Sequence, residues 1–258
     1  MSAGTTADLD LSPAPGAAPA HAQWWSQARM EWRLLTTNGE QILLTLVIPA
    51  AVLFAVTQLG LATVDQATPG VLALAILSSA FTATAIATGF DRRSGLLKFL
   101  GTTPLSRTGL LVGKTLATLG VIVLQMAVIA FAAALLGWSP DLVSPLWLIL
   151  AVLLGTAALG SWGFTLAGLL RAEATLAVAN GIFLLLLFAG GTVLSTDRMP
   201  GALQRVLEPL PSRALGDALR IVFNQAPATG SPPFAEFLLL VLWAAGGTVI
   251  AARTFRWE

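Results

Sequence analysis

The sequence predicts an all-α integral membrane protein with six transmembrane helices. Of its 258 residues, 56% are hydrophobic and only 10% are charged, against roughly 25% charged in ordinary globular domains. The mean hydropathy is +0.80. A helix needs about 20 apolar residues to cross the hydrocarbon layer, and six stretches meet that requirement. The predicted spans are residues 42–61, 70–89, 110–136, 146–170, 174–194 and 234–252, within a membrane domain of residues 42–258.

The segment before the first span divides into two parts. Residues 1–22 are rich in Ala, Pro, Ser and Thr and lack the basic start and apolar core of a signal peptide, which indicates a disordered cytoplasmic tail. In residues 23–41, Trp24 and Trp32 recur at helical spacing while Arg29 falls on another side. This pattern predicts an amphipathic helix at the inner membrane surface. The alternative is a helix packed on the protein's own core.

The positions of the basic residues predict the orientation. Ten of the fourteen Lys and Arg side chains lie in the N-terminal segment, the connection between the second and third spans, the turn after the fourth span and the C-terminal tail. The connections after the first and third spans carry one acid each and no base. The positive-inside rule therefore places both termini in the cytoplasm.

The connection between the second and third spans, residues 89–115, is a basic island between two apolar runs. Such an island indicates a cytoplasmic loop. Its pattern predicts a short helix over residues 92–100, which ends before Pro104 because proline disfavours the helical conformation in the preceding residue. Its five basic residues are Arg92, Arg93, Lys98, Arg107 and Lys114.

The connection between the fifth and sixth spans, residues 195–233, predicts two short amphipathic helices at the outer leaflet. Ser212 is suited to cap the second of them, and Arg213, Asp217 and Arg220 are spaced to interact along its polar face. The alternative for this segment is a solvated loop.

Polar side chains within the spans are candidates for a substrate path. They are Ser79, Thr82, Gln125 and Asn180. The alternative role for each is a hydrogen bond between helices, which is a common use of polar side chains in lipid.

The chemistry that the sequence lacks argues against several classes of function. There is no cysteine, and the single histidine, His21, lies in the N-terminal tail. No acid or base stands near the middle of a predicted span, and Lys114 falls at a span end, where its long side chain is expected to reach the interface. An ion-coupled carrier usually needs a buried carboxylate. The chain is therefore predicted to bind no metal or cofactor and to have no catalytic site of its own.

Residues 109–115 come close to a phosphate-binding P-loop without matching it. Three residues separate Gly109 from Gly113, where the P-loop has four, and a predicted membrane span follows directly. We therefore expect no nucleotide site here, and any energy from ATP must enter from another polypeptide.

The basic loop resembles a loop of a known family. It reads Asp91-Arg92-Arg93-Ser94-Gly95-Leu96-Leu97-Lys98-Phe99-Leu100, followed by Thr103-Pro104-Leu105-Ser106-Arg107 and Gly113-Lys114. This is similar to the loop between the second and third spans in permease subunits of ABC exporters of the drug, antibiotic and polysaccharide export class. The six-span plan, the interfacial helix and the helical external loop fit the same family. The family often has an acid where Lys98 stands, so the contacts of that position differ.

The resemblance implies that residues 92–100 form a coupling helix seated in a groove of a separate ATPase subunit. It implies two copies of that subunit, which hold ATP and Mg, a second permease chain that is identical or related, and surrounding lipid of the plasma membrane. No nucleic-acid partner is expected. The residues that it assigns to ATPase coupling are Asp91, Arg92, Arg93, Gly95, Leu96, Lys98, Leu100, Thr103, Pro104, Leu105, Ser106 and Arg107.

The leading hypothesis is thus the permease subunit of an ATP-driven exporter. The lack of charges within the predicted spans favours an amphipathic or lipid-like compound as its substrate, because such a path would not stabilise a highly charged solute. Two alternatives remain: a membrane scaffold or assembly factor that uses the basic loop to hold a cytoplasmic partner, and an ion-coupled secondary transporter.

Overall fold

The computed structural model describes residues 18–37, 39–191, 201–225 and 232–254. All regular secondary structure in those residues is helical, and a π-helical segment, Leu77–Ala83, joins α3 to α4. The α-helices are α1 (Ala20–Thr37), α2 (Gly39–Gln58), α3 (Val64–Ile76), α4 (Thr84–Arg93), α5 (Leu96–Leu100), α6 (Arg107–Leu135), α7 (Pro145–Leu169), α8 (Ala172–Ala189), α9 (Gly201–Leu207), α10 (Pro211–Val222) and α11 (Phe234–Thr254).

The prediction of an all-α membrane protein is confirmed. Five helical stretches in the described residues are long and apolar enough to cross a membrane. The predicted first span falls on α2, whose apolar part, Thr45–Gln58, is shorter. The five stretches are Val64–Arg93, Arg107–Leu135, Pro145–Leu169, Ala172–Ala189 and Phe234–Thr254.

The second span is longer than the 20 residues predicted for it and forms the centre of the bundle. It begins at Val64, after the N-cap residue Thr63, whose side chain and backbone form a reciprocal capping box with Gln66. Its π-helical segment passes close to α7 at Gly163, where a Cβ atom would lie 2.8 Å from the Phe81 carbonyl oxygen. Gly163 therefore permits a backbone approach that a larger residue would block.

The two helices predicted before the last span are observed as α9 and α10, with one correction. Ser212 is not the N-cap: Leu210 holds that position and Pro211 lies in the first turn, where a missing N–H breaks no helical hydrogen bond. The predicted ion pairs are confirmed, since Asp217 lies 3.3 Å from Arg213 and 2.8 Å from Arg220.

The apolar face of α10 is covered by the bundle. Leu215, Leu219 and Val222 are fully buried, and α10 packs on α3, α7 and α11. The periodicity predicted this helix correctly. It did not show that the apolar face packs on the other helices of the bundle.

Some predicted features lie outside the described residues. They include most of the N-terminal tail (residues 1–17), two parts of the external connection (192–200 and 226–231) and the C-terminal end (255–258).

Candidate coupling site

The predicted coupling helix is shorter than the sequence indicated. Arg92 and Arg93 form the last turn of α4 rather than the start of a new helix. Gly95 follows with φ +80°, in the left-handed region that glycine enters at little cost. The separate helix is α5, Leu96–Leu100, so the expectation of one helix over residues 92–100 is wrong.

One face of α5 is fixed to the membrane domain. Leu97 and Leu100 are buried against Leu110 in the second turn of α6, and Met30 of α1 packs on the same cluster. Burial of each large apolar side chain contributes about 1.5–3 kcal/mol. Because α5 is joined in this way to α1 and α6, a force applied to it will reach both helices.

The opposite face of α5 is open. Lys98 and Phe99 are exposed, and 67% of Phe99 is accessible. Pro104 and Arg107 are exposed just beyond the helix. Phe99 was not among the coupling residues predicted, although the helical period could have identified it: two residues after Leu97, it points away from the buried leucines.

Other predicted coupling residues shape the loop itself. The Thr103 hydroxyl donates to the Leu100 carbonyl (2.6 Å), and Leu105 packs on the leucine cluster. Ser106 is the N-cap of α6, and its Oγ accepts a hydrogen bond from the Gly109 N–H at 3.0 Å. These residues hold the loop between α5 and α6.

Arg92 and Arg93 contact the connection between α7 and α8. Arg92 is half-buried, and its guanidinium donates to the carbonyl oxygens of Gly168, at 3.0 Å, and Leu170. These carbonyls lie at the end of α7, where helical partners are missing. Arg93 pairs with Glu173 of α8 on the exposed surface. Both arginines therefore join the second span to the α7–α8 connection.

This difference predicts unequal effects of two alanine substitutions. Arg92→Ala removes charge-assisted hydrogen bonds to two carbonyls and should destabilise the protein by about 2 kcal/mol. Arg93→Ala breaks an exposed ion pair, which contributes about 0–1 kcal/mol. Thermal unfolding of the two purified variants tests this. Equal melting temperatures would contradict the capping role of Arg92.

Lys114 does not reach the interface, contrary to expectation. Its side chain is only 5% exposed, and its Nζ lies 2.6 Å from an oxygen of Asp91 and 2.8 Å from Glu31 Oε1. The Gln27 amide donates to the same Glu31 oxygen at 2.8 Å. Because α1 packs on α6 and Asp91 reaches Lys114 from the last turn of α4, the ammonium is held by carboxylates instead of water. We call Glu31, Asp91 and Lys114 the buried triad.

The close approach of α1 explains the P-loop-like glycines. A Cβ atom on Gly113 would lie 2.5 Å from Gln27 Cγ, so Gly113 allows α1 to lie against α6. A sequence signal did exist for one member of the triad: Glu31 stands three residues after Ala28 and four before Leu35, within the apolar stripe of α1. A carboxylate in such a stripe usually has a partner.

Two of the four proposed path residues meet in the structure. The Ser79 hydroxyl donates to Gln125 Oε1 at 2.8 Å, and the Gln125 amide donates to the Thr45 carbonyl at 3.0 Å. This bridge joins α2, the π-helical segment and α6, as the alternative of interhelical hydrogen bonding expected. Thr82 is buried elsewhere, and Asn180 is exposed on α8, bonded to its own helix.

A cleft of about 60 Å³ lies between the buried triad and the Ser79–Gln125 bridge. Its wall combines two triad residues with several hydroxyl groups and apolar side chains. The lining residues are Glu31, Leu35, Ile42, Thr45, Ser79, Ala83, Thr84, Ala87, Thr88, Lys114, Ala117, Thr118 and Val121. Among the described residues, no group of three His, Cys, Asp or Glu side chains could hold a metal ion.

Comparison with known proteins adds one finding. The family model described as ABC-2 type transporter matches residues 21–224, which include the buried triad, the loop with α5, and helices α9 and α10. No curated protein matches the sequence.

Proposed function

Because the chain belongs to the ABC-2 type transporter family, and is therefore a membrane permease subunit of an ABC transporter, we propose that it exports an amphipathic or lipid-like compound. The power comes from a separate ATPase subunit, present in two copies, which holds the ATP and Mg. A second permease chain completes the assembly in the plasma membrane, and both termini face the cytoplasm.

The observation that carries this proposal is the two-sided character of α5. Its outer face exposes Lys98 and Phe99, while its inner face is packed on α1 and α6 through Leu97 and Leu100. A short helix exposed on one side and anchored on the other can receive a displacement and pass it to the bundle. This supports a coupling role for the loop from Asp91 to Arg107.

The substrate class rests on the charge distribution. Within the described residues, the buried ionic groups gather at the start of α6, and the middle of each candidate span is free of acids and bases. A path between spans with this charge distribution would favour compounds that are largely apolar. The basic loop between the second and third spans supports the orientation that we propose.

The first test is to tag the chain, extract it gently from its native membrane and identify co-purifying proteins by mass spectrometry. We expect an ATPase with ATP turnover that depends on the loop of residues 91–107. Alanine substitution of Pro104 and Arg107 should uncouple the ATPase from the permease, and so lower this ATP turnover, while the chain is still inserted in the membrane. If an unrelated cytoplasmic protein co-purifies and no ATPase does, the chain serves as a scaffold instead.

Gly95 offers a sharper test of the loop. Gly95→Val places a β-branched residue at φ +80°, which costs roughly 1–2 kcal/mol and is expected to disturb the turn that directs α5 to its seat. Gly95→Asn is the matched control, because asparagine tolerates this conformation and no atom lies within 4 Å of the added Cβ. We expect Val to uncouple ATP turnover from transport and Asn to retain the coupling. Equal coupling in both variants would contradict the mechanical role of α5.

A further inference from the structure

We propose that the cleft beside the buried triad binds the primary ammonium head of an amphipathic amine, which makes such amines the substrate class of this permease. The inference rests on the proposed export function and adds to it a binding site and a head-group chemistry.

The charges around the cleft favour a cation. The buried triad contains two carboxylates, Glu31 and Asp91, and a single ammonium, that of Lys114. Its formal charge is therefore −1. Arg92, the nearest other base on α4, is turned away to the end of α7. Asp91 is 23% exposed and meets solvent, whereas Glu31, the carboxylate that lines the cleft, is only 10% exposed and shares the single ammonium. A buried carboxylate favours a nearby cation, so a monocation in the cleft would be attracted and an anionic head group repelled.

A second observation points to a hydrogen-bonding ligand. Thr88 lines the cleft and is only 1% exposed, yet its Oγ1 has no hydrogen-bond partner among the described residues. An unsatisfied buried hydroxyl typically costs about 1–3 kcal/mol. A primary ammonium has three N–H donors, so one can reach a carboxylate oxygen of Glu31 while another satisfies Thr88.

The cleft has a volume of about 60 Å³, which is enough for a small polar head group. Because it is partly open, selection among head groups rests on charge and hydrogen-bond donors rather than on size. The apolar lining, which includes Ile42, Ala87 and Val121, is suited to contact the alkyl chain beyond the head.

The test uses the full-length chain in nanodiscs of uncharged phosphatidylcholine, with radiolabelled octylammonium chloride as the probe. Empty nanodiscs give the background from partition into lipid. We expect saturable binding that unlabelled octylammonium displaces. Octan-1-ol, octyl sulfate and octyltrimethylammonium should compete at least about tenfold less well, because each lacks the charge or the donors that a charge-assisted hydrogen bond requires.

Three variants assign the binding to the cleft. Glu31→Gln leaves Lys114 paired with Asp91, so the fold is kept, and it should weaken octylammonium binding about tenfold or more. Thr88→Val removes an unpartnered hydroxyl and should weaken binding severalfold without lowering the melting temperature. Thr156→Val is the control, since Thr156 is equally buried and unpartnered but lines a different cavity, between α6, α7 and α11.

Several outcomes would overturn the proposal. Equal competition by octan-1-ol and octylammonium would show simple hydrophobic partition. Equal competition by methylammonium or potassium ions would show a site for a small cation only. Equal binding by the Thr88→Val and Thr156→Val variants would place the ligand elsewhere. Because the binding assay needs no ATP, it is separate from the test of the export function: saturable binding here, together with no ATPase in the co-purification test, would refute the export function and leave the cleft as an amine site.

Discussion

Replacement of Lys114 by methionine is expected to destabilise the protein by about 3–5 kcal/mol. The substitution keeps an unbranched side chain of similar length but removes the ammonium that lies within 3 Å of both Glu31 and Asp91. Two carboxylates would then face each other, with Glu31 largely buried and without a cation. The melting temperature of the purified full-length chain measures the effect.

The control is Lys98→Met, the same substitution on the exposed face of α5, for which we expect a change within about 0.5 kcal/mol. A compensating variant separates charge from packing. Glu31→Gln and Asp91→Asn, combined with Lys114→Met, should recover most of the lost stability, because no unpaired charge then remains. If the Lys114→Met protein had the same melting temperature as the wild type, the triad would not stabilise the junction of α1, α4 and α6.

Five of the six predicted spans match helices long and apolar enough to cross a membrane, because the requirement for crossing a lipid bilayer is local. Length and hydropathy identify each apolar stretch from its own residues, and α10 followed from the helical period of its leucines. The observed ends differ by a few residues, for capping and polar contacts extend a helix past its apolar part. Thr63, whose capping box precedes the second span, is one example.

The buried triad was not predictable in the same way, because its members are far apart in the chain. Lys114 has the position of an ordinary lysine at a span end. Only the packing of α1 on α6 at Gly113, together with the second span's continuation to Arg93, shows that the side chain is enclosed. The pairing of Lys114 with Glu31 and Asp91 depends on tertiary structure that no local pattern contains.

The coupling loop was predictable only in part. The basic composition and the stop near Pro104 indicate a short cytoplasmic helix, but the predicted helix of residues 92–100 contains Gly95. A glycine that follows two arginines in the last helical turn is typical of a helix end. Its left-handed conformation separates α4 from α5, and the arginines consequently belong to the α7–α8 contact and not to the outer face of α5.

Phe99 is the residue for which we expect the largest effect on partner binding. Aromatic side chains in the centre of a protein interface often contribute about 2 kcal/mol or more, which corresponds to roughly thirtyfold in affinity. Phe99 is 67% exposed, whereas Leu97 and Leu100 of the same short helix are buried. Phe99→Ala should therefore weaken association with the ATPase that we propose, and lower permease-dependent ATP turnover, while the melting temperature stays unchanged.

Phe131→Ala provides a matched control for this prediction. Phe131 is 68% exposed, much as Phe99 is, but it lies in the second half of α6, four residues from the helix end opposite the loop. Removal of the same aromatic ring there should leave ATPase association intact, because the ring lies in the lipid-crossing part of the helix. If both variants retained the ATPase, α5 would not be the docking element. If both lost it, the effect would reflect a general loss of exposed apolar surface. Selective loss with Phe99→Ala alone would assign the outer face of α5 to the ATPase, and would make the inner leucine cluster the route by which its movement reaches α1 and α6.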